Sequence, residues 1–505
     1  MQRTKGLLNS KNVIISILVI TALIVGFFLL PNLKPESKKK NENLGNNQSI
    51  AVLPFANMSN EPGQEYFSDG LAEGILNSLA HLKGLKVCAR TSSFQFRGKD
   101  VDIKDVGEKL GVRTVLEGSV LRQGDRVRVT VQLINAEDGF HFWSVQYDEN
   151  MDDIFTLQTK IADAIAEKLE ITLLDSERQM VTKKPSISKE AYELYLKGRS
   201  FWNRRTPPDL KKGIEFFLQA IKLDSLYAAA YSGVADCYTA LGYGSFLAPK
   251  EAFPKALEAA SKALELDSTL AEPHASLGYY RFYYDWDWAA AEQEFRIAID
   301  LNPNYEFGYD WYGYYLTAME RYDEARIIFK KAAELDPLSV QIRTDMGFSL
   351  YYSRNYDQAL KEFQSSLKMN PGFGLAHIWT GRVYQQKKMY KESIEEYRNT
   401  LLAAPAWPVA YAAIGNVYGI MGEREKARDI LDTLAVLSKS RFVTSYGVAL
   451  VYAGLGENDK SFEWINKAYD ERSNWLVWLK SDPRWDPIRS DKRFAELVHR
   501  VGLPD

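Results

Sequence analysis

Apolar positions in the second half of the chain recur with the period of packed helices, and the whole pattern repeats every 34 residues. Pro303, Pro337, Pro371 and Pro405 keep that spacing, as do Gly313, Gly347, Gly381 and Gly415. So do the small residues Ala325, Ala359, Ser393 and Ala427, followed one turn later by Phe329, Phe363, Tyr397 and Leu431. The pattern predicts helical hairpins, with glycine where two helices cross most closely and proline opening each new hairpin. A hairpin of this kind cannot bury its apolar face alone, so stacked neighbours share one core. Such an array offers a surface to a partner rather than a site for a reaction.

Looser hairpins come first, pairing Gly198 with Ala220 and Ala235 with Ala263. Insertions at Arg204-Arg-Thr-Pro-Pro208 and Gly242-Tyr-Gly-Ser-Phe246 lengthen their turns. The hairpin at Gly278 holds about one extra residue, within Asp285-Trp-Asp-Trp288. A last hairpin near Ala449, Tyr452 and Ala468 lacks the proline. The count is about eight over residues 190–470, with residues 471–505 as a capping segment over the last hairpin. Asp482, Asp486 and Asp491 lie close together there, but the segment has no glycine at the sharp turn a calcium loop needs. Its Asp-Pro pairs read as ordinary helix starts.

Between residues 49 and 172 the period changes. Ser49–Phe55 is a short apolar run ending at a turn, the pattern of a buried strand. Leu71, Ile75, Leu76 and Leu79 then share one helical face. Val127, Val129, Val131 and Leu133 alternate with Arg126, Arg128, Thr130 and Gln132, which puts apolar side chains on one sheet face. The reading is a β-α-β-α-β-β-β-α domain, joined to the array by a linker at 173–189.

Residues 1–12 form a short stub, and Val13–Leu30 carries no charge over 18 residues. At 1.5 Å per residue a helix there spans about 27 Å, near the thickness of a bilayer core. The run exceeds a usual signal-peptide core and no small-x-small cleavage site follows, so it reads as a transmembrane anchor. Residues 31–48 then form a polar tether. Positive charges balance across the helix, so orientation rests on the large domain following a short stub. The expected fold class is mixed: one transmembrane helix, a small α/β domain and an all-α superhelix. The expected location is a bacterial inner membrane, single-pass, with the bulk periplasmic.

The net charge of −3 over 505 residues argues against a nucleic-acid grip by overall electrostatics. The two cysteines, Cys88 and Cys237, sit in apolar patterns and read as buried thiols. No phosphate loop, HExxH, GxSxG or paired CxxC occurs, and the five histidines are scattered. Ser68, Asp69, Ser92 and Ser93 read as caps and turn formers. No enzyme activity, catalytic residue, cofactor or metal is expected.

Two resemblances sharpen this reading. Ser49-Ile-Ala-Val-Leu-Pro-Phe-Ala-Asn-Met-Ser59, Tyr66-Phe-Ser-Asp-Gly70, Arg90-Thr-Ser-Ser-Phe94, Leu116-Glu-Gly-Ser-Val120 and Ile154-Phe-Thr-Leu-Gln158 resemble the TolB-like amino-terminal domain of bacterial signalling and transcription proteins. In that family the domain commonly sits beside tetratricopeptide repeats and behind a winged-helix, cyclase or kinase effector, for which twelve residues ahead of the anchor leave no room. The 34-residue pattern looks like the tetratricopeptide repeat, whose first helices line a concave groove.

Carrying that pattern over places Tyr279, Phe282, Tyr283, Asp310, Tyr314, Phe348, Tyr351 and Tyr352 on the inner face. Arg382, Gln385, Gln386 and Asn416 continue it, and Arg382 is the one cation expected there. Tyrosine provides contact area at low entropic cost, which suits recognition of a protein or peptide ligand. The expected function is a membrane-anchored interaction and signalling scaffold with the α/β domain as docking or sensory module. The alternative is an accessory component of a transcription-regulatory or cyclase system acting through a separately encoded effector.

Overall fold

The computed structural model describes residues 48–59, 63–99, 101–171, 173–174 and 187–504. Its α/β domain comprises β1 (Gln48–Val52), β2 (Ala56–Asn57), α1 (Glu65–Ala80), β3 (Leu85–Val87), α2 (Ile103–Leu110), β4 (Thr114–Gln123), β5 (Arg126–Asn135), β6 (His141–Asn150) and α3 (Ile154–Lys168). The sheet order is β3-β1-β4-β5-β6, with β2 added beside β4. β1 runs parallel to β3 and β4, whereas β4, β5 and β6 form an antiparallel meander. The alternation in β5 does what its sequence predicts. Val127, Val129, Val131 and Leu133 are fully buried, against Leu71 and Ile75 of α1 and Leu157 and Ile161 of α3. α2 packs Val106 and Leu110 against Ala51 and Val115, in a separate cluster.

The array pairs sixteen helices as eight hairpins. They are α4 (Lys189–Trp202) with α5 (Pro207–Leu223), α6 (Ala228–Tyr243) with α7 (Pro249–Leu266), α8 (Ala271–Tyr280) with α9 (Trp288–Leu301), and α10 (Glu306–Ala318) with α11 (Tyr322–Leu335). Then follow α12 (Val340–Tyr352) with α13 (Tyr356–Met369), α14 (Gly374–Gln386) with α15 (Tyr390–Ala403), α16 (Pro408–Ile420) with α17 (Arg424–Leu437), and α18 (Ser445–Gly454) with α19 (Asn458–Asp470). Within each hairpin the turn passes through a left-handed residue. Glu320, Arg354, Lys388, Gly422 and Gly456 all have positive φ and stand 34 apart. The period is therefore written in the backbone as well as in the side chains. The extra residue of the third hairpin is absorbed by one π-type turn, Arg281–Asp285, which carries α8 to its turn at Trp286.

Two expectations about the repeat change in detail. The prolines do not open the helices: α10, α12, α14 and α16 begin three residues after Pro303, Pro337, Pro371 and Pro405, which sit in the turns between hairpins. Gly313, Gly347 and Gly381 make room for an aromatic ring rather than for a small partner, and Gly415 for Ile430. A Cβ on Gly347 would lie 2.5 Å from the Phe363 ring, and one on Gly313 would lie 2.7 Å from that of Phe329.

Array and sheet meet through the turns between hairpins. The Asn304 side chain accepts the N–H of Val87 (2.9 Å) and donates to the carbonyls of Leu85 and Ala80. Ala89 N–H bonds the Leu335 carbonyl, and the Ser92 hydroxyl joins the Asp336 carboxylate to the Leu338 N–H. The exposed edge of β3, an invitation to unwanted pairing, is thereby covered by the array. Ser92, expected to be a plain turn former, is part of this clasp. Tyr192 and Leu196 of α4 complete the α/β core.

The expected fold class and location are corrected. No helix among the described residues is long and apolar enough to cross a membrane, and the architecture is an α/β domain followed by a helical array. The expected span, Val13–Leu30, lies outside the described residues, as do residues 31–47 of the expected tether 31–48 and most of the linker. A single-pass inner-membrane placement with a periplasmic bulk therefore has no support.

Candidate functional site

All of the inner-face positions except Gln386, namely Tyr279, Phe282, Tyr283, Asp310, Tyr314, Phe348, Tyr351, Tyr352, Arg382, Gln385 and Asn416, are buried. They come from the first helices, apart from Phe282 and Tyr283 on the π-type turn, and the chain's own carboxy-terminal segment packs against Phe282, Tyr283, Tyr314, Phe348 and Tyr352. That segment is two short 3-10 helices, Asn474–Trp478 and Pro483–Ile488, followed by α20 (Lys492–Val501). Trp478 is its centre. Its ring stacks on Tyr352 at 4.7 Å and meets Phe348 edge-on at 4.7 Å, with Phe282 and Tyr314 slightly further out. Arg382 spreads over Trp379 (4.0 Å) and Trp475 (5.0 Å). Gln385 donates to Asn416, which donates on to the Leu450 carbonyl. The segment lies against the last hairpin, where Trp485 meets Tyr446 and Arg493 lies over Phe462, and it also reaches back across the middle of the array.

Ion pairs fasten it there. Asp482 and Arg484, both buried, bond one another at 2.6 Å, and the Tyr446 hydroxyl donates to Asp482 at 2.9 Å. Burial alone would raise the Asp482 pKa. The charge and hydrogen bonds of Arg484, with Arg382 beyond, overcome it and hold the carboxyl below its ordinary range. Asp486 takes a bidentate bond from Arg354 (2.7 and 2.9 Å), and Lys480 pairs with Glu320 at 3.4 Å. Both partners are the left-handed turn residues of their hairpins. Asp491 caps α20 and pairs with Arg493. Each of these three clustered acids is thus engaged by arginine.

Beside this filled surface an open cavity of about 790 Å³ remains. It exists because the superhelix closes on itself. The Gly242–Phe246 insertion crosses the concave side, where Trp407 Nε1 donates to the Gly244 carbonyl (3.2 Å) and stacks near Phe246. Trp475 and Asn474 bond the same insertion through Ser245 and Tyr243. Tyr279, Asp310 and Tyr314 of the expected set line the cavity, with Trp311, Phe307 and Trp407 adding aromatic surface.

Asp310 is 2% exposed, and its Oδ1 has no hydrogen-bond partner. Burial and the neighbouring Asp345 push its pKa far above the carboxylate range. Asp345, holding bonds from Tyr314 and Gln341 (2.7 Å), is pushed up to about 7 by burial. Near neutral pH the pair therefore shares a proton, as close carboxyls in a dry site must.

Sequence reasoning missed the cavity's cations. Arg204, Arg205, Lys211 and Arg441 all line it. The first three come from the insertion after α4 and the start of α5, and Arg441 from the loop after α17. The insertion itself was visible, but the closure of the ring that turns it inward was not.

A second, shallower cavity of about 590 Å³ gathers Tyr66, Asp69, Arg90 and Phe94 with Arg97 and Lys197. Behind it Glu73 is buried, accepts from Arg199 (2.7 Å) and forms an ion pair with Arg90 (2.8 Å), so that it ionises more readily than its burial alone would allow. Both cysteines are buried, and burial lifts the Cys88 thiol to about 12. Among the described residues no cluster of three His, Cys, Asp or Glu side chains is placed to hold a metal ion.

A family model for the second domain of HilA/YgeH-like transcriptional regulators matches residues 46–164. Tetratricopeptide repeat models match residues 308–337 and 344–409. The chain thus contains tetratricopeptide repeats, and the match for its α/β domain is the HilA-type domain rather than the TolB-like one expected. Over 234 residues the chain is 33% identical to "Putative adenylate cyclase 3" of Rhizobium meliloti (strain 1021), covering 45% of this chain and 39% of that one. Over 295 residues it is 23% identical to the transcriptional regulator HilA of Salmonella typhimurium, covering 57% and 51%. The chain therefore spans about half or less of the length of these relatives. Among solved structures it is similar to PilF of Pseudomonas aeruginosa at 19% identity and a TM-score of 0.32, covering 45% of this chain and 98% of that one. A likeness at that level adds nothing to a functional reading.

Proposed function

We propose that this chain is a protein-interaction scaffold that takes a protein or peptide partner in the cavity beside its self-filled groove. The α/β domain, clasped to the array through Asn304 and Ser92, serves as docking or sensory module. The observation that carries this reading is the open, aromatic-lined volume of about 790 Å³ on the concave side, within the usual range of ligand sites and rich in residues that anchor partners. The aromatic surface beneath Trp478 supports it as well, since the array already holds a short segment of chain there. Photo-crosslinkers placed at Phe373 in the cavity wall, and at the outward-facing Leu402 as control, test the reading in cells. A discrete adduct from position 373 and none from 402 is expected. Identical adducts from both, or none from 373, would sink it.

A second reading has its own support in the HilA-type domain and in the Rhizobium relative named as a cyclase. On this reading the scaffold is an accessory component of a transcription-regulatory or cyclase system, coupling partner binding to a separately encoded effector. Reporter transcription and cyclic AMP, each measured with and without the chain, distinguish the two outputs. No change in either would reject it.

A further inference from the structure

The cavity is charged in an unbalanced way. Arg205, Lys211 and Arg441 are exposed, and among the described residues no acid lies within ion-pairing distance of any of them. Arg204, also exposed, has only a loose contact with Asp209 at 3.5 Å. The sole acid in the lining is Asp310, which is almost fully buried, against four cations. Arg205 is held ready by its surroundings. Its guanidinium sits 3.8 Å from the centre of the Trp202 ring and 4.3 Å from that of Phe307. A guanidinium stacked on rings keeps its N–H edge free for a planar acceptor, and a carboxylate matches that fork bidentately.

We infer that the cavity binds an acidic peptide segment, seating a carboxylate against Arg205 and an adjacent apolar side chain on the aromatic wall of Trp311 and Trp407. The inference rests on the scaffold reading above and specifies its ligand. Charge complementarity chooses the sign, and size chooses the form. A volume of about 790 Å³ accommodates a few residues of extended chain, whereas a nucleic-acid duplex needs an open surface. The other cations, spread around the mouth, would draw in further acidic side chains and make association sensitive to salt.

The test probes the purified chain against an array of immobilised hexapeptides that alternate Phe with Glu, Gln or Lys. The affinity of any retained peptide is then measured by fluorescence anisotropy. Glu-Phe peptides should be retained, and their affinity should fall at least about tenfold in Arg205→Gln and with Gln in place of Glu, since a charge-assisted bond contributes on that order. Lys211→Gln, on an exposed helix face, gives an independent reading that does not depend on the Arg205 turn. Thermal unfolding of both variants should match the parent. Retention of Gln-Phe or Lys-Phe peptides at equal strength overturns the acidic ligand and leaves the scaffold reading standing. Retention of no peptide at all overturns both. A single-stranded oligonucleotide that binds in an Arg205-dependent way and displaces the Glu-Phe peptide also overturns the inference.

Discussion

Asn304 reaches from the turn between the third and fourth hairpins to the edge of the sheet, where its side chain accepts the N–H of Val87 at 2.9 Å. The same amide donates to the carbonyls of Leu85 and Ala80, so one residue satisfies three backbone groups that would otherwise be buried and unpaired. Each such group costs about 1–3 kcal/mol when left without a partner. Asn304→Ala should therefore loosen the clasp between domain and array before either unfolds. Amide hydrogen exchange reads this directly. Val87 should lose protection in the variant while amides within α12 keep theirs, and unchanged protection at Val87 would show that the contact holds nothing.

Gly347 and Phe363 test the repeat in the same way. A methyl group at position 347 would sit 2.5 Å from the Phe363 ring, inside any real contact distance. Gly347→Ala should cost about 1–3 kcal/mol through overpacking. Gly347→Ala with Phe363→Leu should recover part of the loss, because the smaller side chain vacates the space. Denaturant unfolding of the parent, both single variants and the double variant gives the coupling. Strict additivity would mean that the glycine serves some purpose other than clearing the ring.

The repeat was legible because it rests on periodicity, which neighbours along the chain determine. Even the third hairpin's extra residue announced itself as a break in spacing. What the chain does to itself over long distances was not legible. Phe282, Phe348 and Tyr352 have the composition of an exposed aromatic groove, and nothing near them in sequence says that Trp478 will cover them. Arg204 and Arg205 looked like turn residues because their role depends on Gly244 meeting Trp407, 163 residues away. A pattern of adjacent residues states which faces are apolar, and closure of the superhelix decides which of those faces stay open.

Asp236 gives a pH dependence with a definite sign. It is 2% exposed, accepts from the Ser276 hydroxyl at 3.0 Å and stands 3.8 Å from Arg199. Burial pushes its pKa up to about 7 despite Arg199. An unfolded aspartate titrates near 4, so between about pH 4 and 7 the folded chain holds a proton that the unfolded chain has released. Stability contributed by this proton is present at low pH and lost as pH rises through 7, by an amount on the order of a few kcal/mol. Asp236→Asn keeps an acceptor for Ser276 without the buried charge. Its melting temperature, compared with the parent's, should improve from pH 5 to about pH 7 and level off by pH 8, and a constant difference across that range would contradict the assignment.

The Asp482–Arg484 pair bears on how firmly the carboxy-terminal segment is held in the groove, and its sign is opposite. Arg484, aided by Arg382, keeps the Asp482 carboxyl below its ordinary range against the pull of burial. Its contribution is therefore complete above the unfolded pKa and disappears as pH falls through the folded one. Removing one partner of a buried pair strands the other, so Asp482→Ala should cost about 3–5 kcal/mol, more than either charge was ever worth on its own. Replacing both, as Asp482→Leu with Arg484→Met, should recover most of that loss, because the pair's net contribution is small once neither charge needs water. If the pair fastens the segment, Asp482→Ala should also raise proteolysis near Trp478 while the helices α10–α13 stay protected, and the double replacement should restore resistance. Equal proteolysis in parent and Asp482→Ala would mean that the stacking of Trp478 on Phe348 and Tyr352 holds the segment without help from the charges.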